Sequence, residues 1–109
     1  MKIKEALPFL ERTLEALRTM PEDIEIISVD TSLYCSEQYT KIQVTGSEDM
    51  KQLAPAYGRC IQRKVEKPNE SGEVWTWLRF SDPDNFLRFV QCECKRAAPS
   101  DATTGDGRA

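Results

Sequence analysis

The first twenty residues carry apolar side chains at helical spacing. Intervals of four and three residues alternate between them, which is typical of a helix with one apolar stripe and a charged opposite side. Pro8 is tolerated only near the start of a helix, so we expect the regular part to run from about residue 7 to Thr19, before Pro21. The stripe consists of Ile3, Leu7, Leu10, Leu14 and Leu17.

Two stretches after this helix alternate apolar and polar residues with a period of two, as half-buried strands do. The first spans residues 24–35, and the second directs Thr40, Ile42 and Val44 to one face. Residues 36–38 connect them and are few enough for a hairpin. The positions of the first strand that alternate against serine and aspartate are Ile27, Val29, Thr31 and Leu33.

A short helix is predicted after the hairpin. Ser47 is placed to cap its first turn, and Glu48 and Asp49 suit the positive end of the helix dipole. Pro55 and Gly58 limit its length. Its inner face would consist of Met50, Leu53 and Tyr57.

A second hairpin joins residues 59–67 to residues 72–80 through the turn-forming sequence Pro-Asn-Glu-Ser. Its second strand is apolar on both faces, because Trp75 and Trp77 alternate against other apolar residues. The pattern does not decide which of the two faces is covered by the helices. The face opposite the tryptophans carries Val74, Thr76, Leu78 and Phe80.

The last element begins with Ser-Asp-Pro-Asp at residues 81–84, which favours the first turn of a helix. We expect this helix to extend to about Lys95, with a strand over residues 89–94 as the alternative. Its apolar face would consist of Phe86, Leu87, Phe89, Val90 and Cys94.

The order of elements predicts an α+β fold in which helices pack on one face of a four-stranded antiparallel sheet, in the order α-β-β-α-β-β-α. We expect residues 1–96 to form this single domain. Residues 97–109 have no large apolar side chain. We expect them to form a disordered tail.

Composition and charge narrow the classes of function. The net charge of −3 over 109 residues argues against general affinity for nucleic acid, which needs clustered positive charge. The sequence shows neither an apolar leader nor a run of about 18 apolar residues. We therefore expect a cytoplasmic protein with no membrane partner.

Catalytic chemistry finds little support in the residue types. The chain has no histidine, so a serine or cysteine nucleophile lacks its usual base. Cys92 and Cys94 form a C-x-C pair, and a zinc site would need Cys35 and Cys60 to converge on them. We expect reduced cysteines that behave as small buried hydrophobic residues. The prediction is a protein that is not an enzyme, with no catalytic residue, metal site or cofactor.

The two tryptophans form one candidate contact surface. If their face of the sheet is open, Trp75 and Trp77 lie beside Arg63, and Trp and Arg dominate many binding hot spots. The alternative is a place in the core, where tryptophans of a central strand are usually found. With neighbouring basic side chains they are also compatible with stacking of single-stranded nucleic acid. An open apolar face would further favour a homodimer.

Residues 22–49 are strongly acidic, with seven Asp or Glu residues against Lys41 alone. Such a segment is either a solvated face or a contact surface for a basic partner. We expect a small binding protein that acts by protein–protein contact, for example a phage or mobile-element inhibitor or regulator of a nucleic-acid-binding host protein such as a CRISPR nuclease. The alternatives are a single-stranded nucleic-acid-binding module and a homodimeric structural or accessory protein. The acidic candidate contacts are Asp23, Glu25, Asp30, Glu48 and Asp49.

Overall fold

The computed structural model describes residues 1–34 and 36–96. Within these residues the chain forms two α-helices and a five-stranded mixed sheet, in the order α-β-β-α-β-β-β. A short 3₁₀ helix, Ala54–Tyr57, follows the second helix. The elements are α1 (Ile3–Thr19), β1 (Ile26–Tyr34), β2 (Glu37–Val44), α2 (Ser47–Leu53), β3 (Gln62–Val65), β4 (Glu73–Ser81) and β5 (Leu87–Arg96).

The strands lie in the order β1-β2-β5-β4-β3. β1 and β2 form the predicted antiparallel hairpin. β2 and β5 run parallel, with Thr40 paired to Leu87 and Gln43 to Val90. Parallel neighbours need a long crossover, and here it contains α2, β3 and β4. The prediction of a four-stranded, wholly antiparallel sheet is therefore wrong.

Residues 82–86 form a turn where the sequence predicted the start of a helix. The Asp82 carboxylate accepts hydrogen bonds from the backbone N–H groups of Phe86, at 2.8 Å, and Leu87, at 3.2 Å. Asn85 has a φ of 60°, in the left-handed region that a regular helix excludes. The chain therefore reverses direction here and enters a strand.

Burial along β5 follows the period of a strand. Leu87, Phe89 and Gln91 are buried, and the residues between them are half-buried. The predicted helix to about Lys95 is wrong, and the alternative of a strand over residues 89–94 is confirmed.

Contacts divide the chain into two compact units. The first comprises Met1–Gln62 and Leu78–Gln91 and contains both helices. The second comprises Arg63–Trp77 and, among the described residues, 92–96. The single domain over residues 1–96 remains a prediction, and the predicted tail at 97–109 lies outside the described residues. Neither helix in the described part of the chain combines the length and apolar character needed to cross a membrane.

The core of the first unit lies on one face of its strands. Ile42 and Val44 of β2 are fully buried, as the alternation in the sequence predicted. Phe80 of β4 and Phe89 of β5 stack with their ring centroids 4.7 Å apart. Residues of α1 and α2 pack against this cluster, so both helices cover the same face. The remaining buried members are Ala16, Met50, Leu53, Ala54, Phe86 and Leu87.

Two element boundaries differ from the predicted ones. α2 begins at Ser47, and Gly46 takes the N-cap position without a side-chain hydrogen bond, so the predicted Ser47 cap is wrong. β3 is confined to Gln62–Val65. The end of the helical segment is as predicted, because Gly58 closes it with a φ of 65°, which glycine adopts without strain.

Helix α1 begins at Ile3, earlier than the predicted residue 7, and contains Pro8. Its sheet-facing side is formed by the small residues Ala6, Thr13 and Ala16, all of which are buried. Of the predicted apolar stripe, Leu17 packs on the core and the other members are exposed. The apolar stripe is therefore not the side on which this helix is buried.

Three threonine hydroxyls connect α1 to the first hairpin. Thr13 Oγ1 donates to the Phe9 carbonyl oxygen at 3.1 Å and lies 2.6 Å from Thr40 Oγ1. Thr40 Oγ1 in turn lies 2.9 Å from Thr31 Oγ1. The buried hydroxyls therefore satisfy one another beneath the helix.

One flank of α1 is attached to the turn before β5. Arg12 donates to Asp82 at 2.9 Å and to Asp84 at 2.7 Å. Its guanidinium carbon lies 4.7 Å from the centre of the Phe86 ring. The Asp82 side chain is 5% exposed and that of Asp84 is 71% exposed, so the two ion pairs differ in solvent screening.

Candidate functional site

The side of the first unit's strands opposite the core, here called the open face, carries charged and aromatic residues. Lys41 of β2 pairs with Arg88 of β5 in the parallel register, so their side chains are neighbours there. The Arg88 guanidinium carbon lies 4.0 Å from the centre of the Tyr39 ring, and Nη2 donates to the Glu37 carboxylate at 2.7 Å. These two contacts hold the guanidinium group over the ring.

A groove of about 550 Å³ lies beside this stacked pair. Arg79 of β4 lines it, and the segment before β3 contributes Arg59 and Cys60. The turn that contains Asp82 lines it as well. The groove therefore gathers residues from four separate stretches of the first unit.

The groove has an excess of positive charge. Its carboxylates, Glu37 and Asp82, each form an ion pair with an arginine. Lys41, Arg59 and Arg79 also line it, and none of their side chains has a hydrogen bond or ion pair within the described residues. Because these cations are not neutralised by the chain, the groove suits an anionic ligand or surface.

Thiol and carboxylate groups are the remaining candidates for chemistry. Within residues 1–34 and 36–96, no group of three or more His, Cys, Asp or Glu side chains is placed to hold a metal ion. Cys60 and Cys94 are exposed, so the prediction of buried cysteines is wrong for both. Burial raises the pKa of the half-buried Cys92, and the nearby Cys94 and Glu66 raise it further. A raised pKa lowers the thiolate fraction and therefore the reactivity of Cys92.

The tryptophans lie in the second unit, on β4. Trp75 is 37% exposed and Trp77 is half-buried, with a buried Nε1 that has no hydrogen-bond acceptor within the described residues. The backbone N–H of Glu66 donates to the Trp75 carbonyl oxygen at 2.9 Å. Arg63 lies on β3, whose four residues are all exposed. A contact role for Trp75, Trp77 and Arg63 remains a prediction.

The structure brings most of the acidic candidates to one end of the first unit. The backbone N–H of Thr45 donates to the Glu25 carbonyl oxygen at 3.0 Å, which places the segment before β1 beside the start of α2. Glu48 and Asp49 lie in the first turn of α2, and Glu48 pairs with Lys51 at 3.0 Å. Asp23 lies in the loop just before this contact. These four acidic residues, Asp23, Glu25, Glu48 and Asp49, are here called the acidic end.

Asp30 lies apart from the acidic end. Its partner in the backbone register of β1 and β2 is Lys41, and no ion pair joins the two side chains in the described residues. Both residues line a small pocket of about 260 Å³ with Tyr34 and Tyr39. Asp30 therefore belongs with the charged residues of the open face.

A further exposed surface on α1 was not predicted as a contact site. Ile3 is 80% exposed, and three leucines of the same stripe, Leu7, Leu10 and Leu14, are 47%, 44% and 46% exposed. The sequence does contain a signal that the stripe is exposed. It is the set of small side chains at helical spacing beside the stripe, namely Ala6, Thr13 and Ala16. They mark the side that approaches the sheet most closely.

Comparison with known proteins supplies no relative, because no family model, curated protein or solved structure matches the chain. The candidate surfaces therefore rest on their own geometry and charge.

Proposed function

We propose that this chain is a small non-enzymatic binding protein that acts by protein–protein contact through the open face of its sheet. The observation that carries the proposal is the Tyr39–Arg88 stack beside the unpaired cations Lys41 and Arg79. Tyr and Arg are among the residues most often found at binding hot spots. A guanidinium group already held against a ring loses little conformational entropy on binding.

The charge of the groove favours an acidic partner surface. Lys41, Arg59 and Arg79 would each form an ion pair only when a partner supplies a carboxylate or a phosphate. Charge complementarity of this kind raises association rates and excludes partners of the same sign. Trp75 and Trp77 of the second unit remain proposed contacts.

The acidic end supports a second part of the proposal. Its four carboxylates suit the basic groove of a protein that itself binds nucleic acid. This favours an inhibitor or regulator of such a host protein, of the kind encoded by phages or mobile elements, with a CRISPR nuclease as one example. Asp23 and Glu25 would be the first residues to test there, because both are exposed.

A second candidate function is favoured by the same groove. Cations beside an aromatic ring on an uncovered sheet are also the features with which proteins bind single-stranded nucleic acid. In that case Tyr39, Arg79 and Arg88 would contact bases and phosphates.

The test is capture of a partner from a lysate of the source organism with the full chain and a Lys41→Glu, Arg79→Glu double variant. Both side chains are exposed and form no hydrogen bond or ion pair within the described residues, so the variant should fold, as circular dichroism would check. The matched control is Lys67→Glu, which makes the same type of charge change at an exposed residue of the second unit that does not line the groove. A partner that is lost with the double variant and kept with the control supports the proposal.

Equal capture by all three proteins would contradict a role for the open face. Fluorescence anisotropy with a labelled short single strand at low salt tests the second candidate. Binding of the strand by wild type that the double variant abolishes would favour nucleic acid over protein. The two substituted cations are the groups that would contact the phosphates, and such contacts are strongest at low salt.

A further inference from the structure

The exposed aliphatic residues of α1 form a regular row. Ile3, Leu7, Leu10 and Leu14 follow one another at spacings of four, three and four residues, so they lie on one side of the helix. All four are at least 44% exposed. Exposed apolar surface that is contiguous in this way marks an interaction site.

The spacing four-three-four is the same when it is read from either end. If two copies of α1 pack antiparallel about a two-fold axis, Ile3 therefore meets Leu14 of the second copy, and Leu7 meets Leu10 of the second copy. Every residue of the row then has an apolar partner, as a two-fold interface requires. We propose that this row is a dimer interface and that its occupant is α1 of a second copy of the chain.

The charges beside the row fit the same arrangement. Lys4, Glu11 and Glu15 each directly follow a member of the row, and all three are exposed. In the antiparallel register that pairs Leu7 with Leu10, Lys4 of one copy lies opposite the interval between Glu11 and Glu15 of the other. The two-fold axis repeats this contact, so the dimer contains it twice. A parallel arrangement would instead bring opposite flanks of the two helices together, so Lys4 would not face Glu11 and Glu15 of the second copy.

The outermost strand extends the apolar surface. β1 is at one edge of the sheet, and Val29 pairs with the buried Ile42, so Val29 is on the face that α1 covers. Val29 is 41% exposed, and Ile27, at the register shift between Ile26 and Ser28, is 59% exposed. An edge strand with exposed β-branched residues is itself open to pairing with another chain.

The size of the surface sets the expected affinity. A 17-residue helix is about 25 Å long. A contact between two such helices with a strip of β1 is at the small end of specific interfaces, below about 1,200 Å² in total. We therefore expect a dissociation constant of about 1 to 100 μM.

Sedimentation velocity of the full chain across this concentration range tests the proposal. The wild type should change from monomer to dimer as concentration rises. Leu10→Asp places a charge in the centre of the interface twice per dimer and should weaken association by at least about 100-fold. The control is Val65→Asp on β3, an aliphatic residue that is 50% exposed against 44% for Leu10 and that should leave association unchanged when substituted.

Mixing charge variants tests the antiparallel register directly and does not depend on the folding of Leu10→Asp. Lys4→Glu and the double variant Glu11→Lys, Glu15→Lys should each dimerise about 10-fold more weakly than wild type, because like charges then face each other. An equimolar mixture of the two should recover wild-type association, since both contacts in the mixed dimer join opposite charges. These exposed substitutions should leave the helix intact.

A monomer at all concentrations would overturn the proposal, and so would a dimer that Leu10→Asp leaves unchanged. Failure of the mixture to recover association would overturn the antiparallel register. The groove variant Lys41→Glu, Arg79→Glu should dimerise like wild type, so this inference and the proposed function can fail separately.

Discussion

The two flanks of α1 differ in composition and in what they contact. On one flank Arg12 reaches Asp82 and Asp84, and Phe9 stacks on Phe86 with ring centroids 5.8 Å apart. On the other flank the aliphatic row is exposed to solvent. The flank that holds the helix in place is thus the one with aromatic and charged residues, while the more apolar flank is uncovered.

This difference shows that the position of a helix on a sheet depends on close approach and on satisfied hydrogen bonds. Ala6 and Ala16 are small enough to bring the helix near the strands, and Thr13 finds a hydroxyl partner in Thr40. A leucine at these positions would hold the helix farther away. The leucines are therefore directed sideways, where they are available to another molecule.

The largest expected effect is on the attached flank. Asp82→Ala removes the acceptor of two backbone N–H groups and a partner of Arg12, so it should lower the free energy of unfolding by about 3 kcal/mol. Asp84→Ala removes the same charge from a side chain that is 71% exposed and should cost less than about 1 kcal/mol. Urea denaturation of both variants is the measurement. Equal losses of unfolding free energy in the two variants would show that the burial of Asp82 adds nothing to stability.

Neighbouring residues on the two flanks allow a direct comparison. Phe9→Ala should lower the free energy of unfolding by about 2 to 3 kcal/mol, because the ring packs on the core and on Phe86. Leu10→Ala should cost about 1 kcal/mol or less, since Leu10 is 44% exposed. Both should be measured at submicromolar protein, so that association adds no stability. A larger loss for Leu10 would reverse the assignment of the flanks.

The underside of the helix should show an intermediate effect. Thr40→Val keeps the shape of the side chain but leaves the Thr13 and Thr31 hydroxyls without their shared partner, at a cost of about 1 to 2 kcal/mol. Thr31→Val should cost less, because Thr31 is only half-buried on the edge strand. Thermal unfolding monitored by circular dichroism compares the stabilities of the two variants. No loss for Thr40→Val would mean that hydrogen bonding beneath α1 is not needed for stability.

The smallest expected effect is on pH dependence. Burial raises the pKa of Tyr57 above its ordinary value of about 10, and the nearby Asp82 raises it further. A group whose pKa is raised on folding stabilises the protein below the unfolded pKa, and this contribution is lost as pH rises through the folded pKa. Stability should therefore decline above about pH 10, and the decline should be shallower in Tyr57→Phe. Identical dependence of stability on pH in this range for wild type and Tyr57→Phe would contradict a raised pKa of Tyr57.

Those parts of the fold that depend on local alternation were predictable. Thr40, Ile42 and Val44 are buried as the period of two in β2 indicates. Residues 86–90 were not predictable in the same way, since the run of Phe, Leu, Phe and Val fits a helical face and a central strand equally well. The pairing with β2 decides that this segment is a strand, and the local sequence gives no indication of that pairing.

The candidate sites were less predictable for a related reason. The groove depends on residues that are distant in sequence, such as Glu37 and Arg88, which are 51 positions apart. Tyr39, Arg79 and Arg88 carry no motif, and only the order of strands brings them to one groove. The acidic end was the exception, because its charges are dense enough along the chain to be noticed before their positions are known.

The place of β5 in the middle of the sheet has a consequence for how the protein forms during synthesis. β5 leaves the ribosome after the other four strands of the described residues, yet it pairs with β2 and contributes the buried Phe89 and Gln91. The first hairpin and both helices are complete earlier but have no neighbour on the inner side of β2 until β5 arrives. Non-local pairing of this kind slows folding. We therefore expect the nascent chain to remain without a stable core until nearly the whole described part has been translated, and a chain that stops before Leu87 to be a substrate for chaperones and proteases.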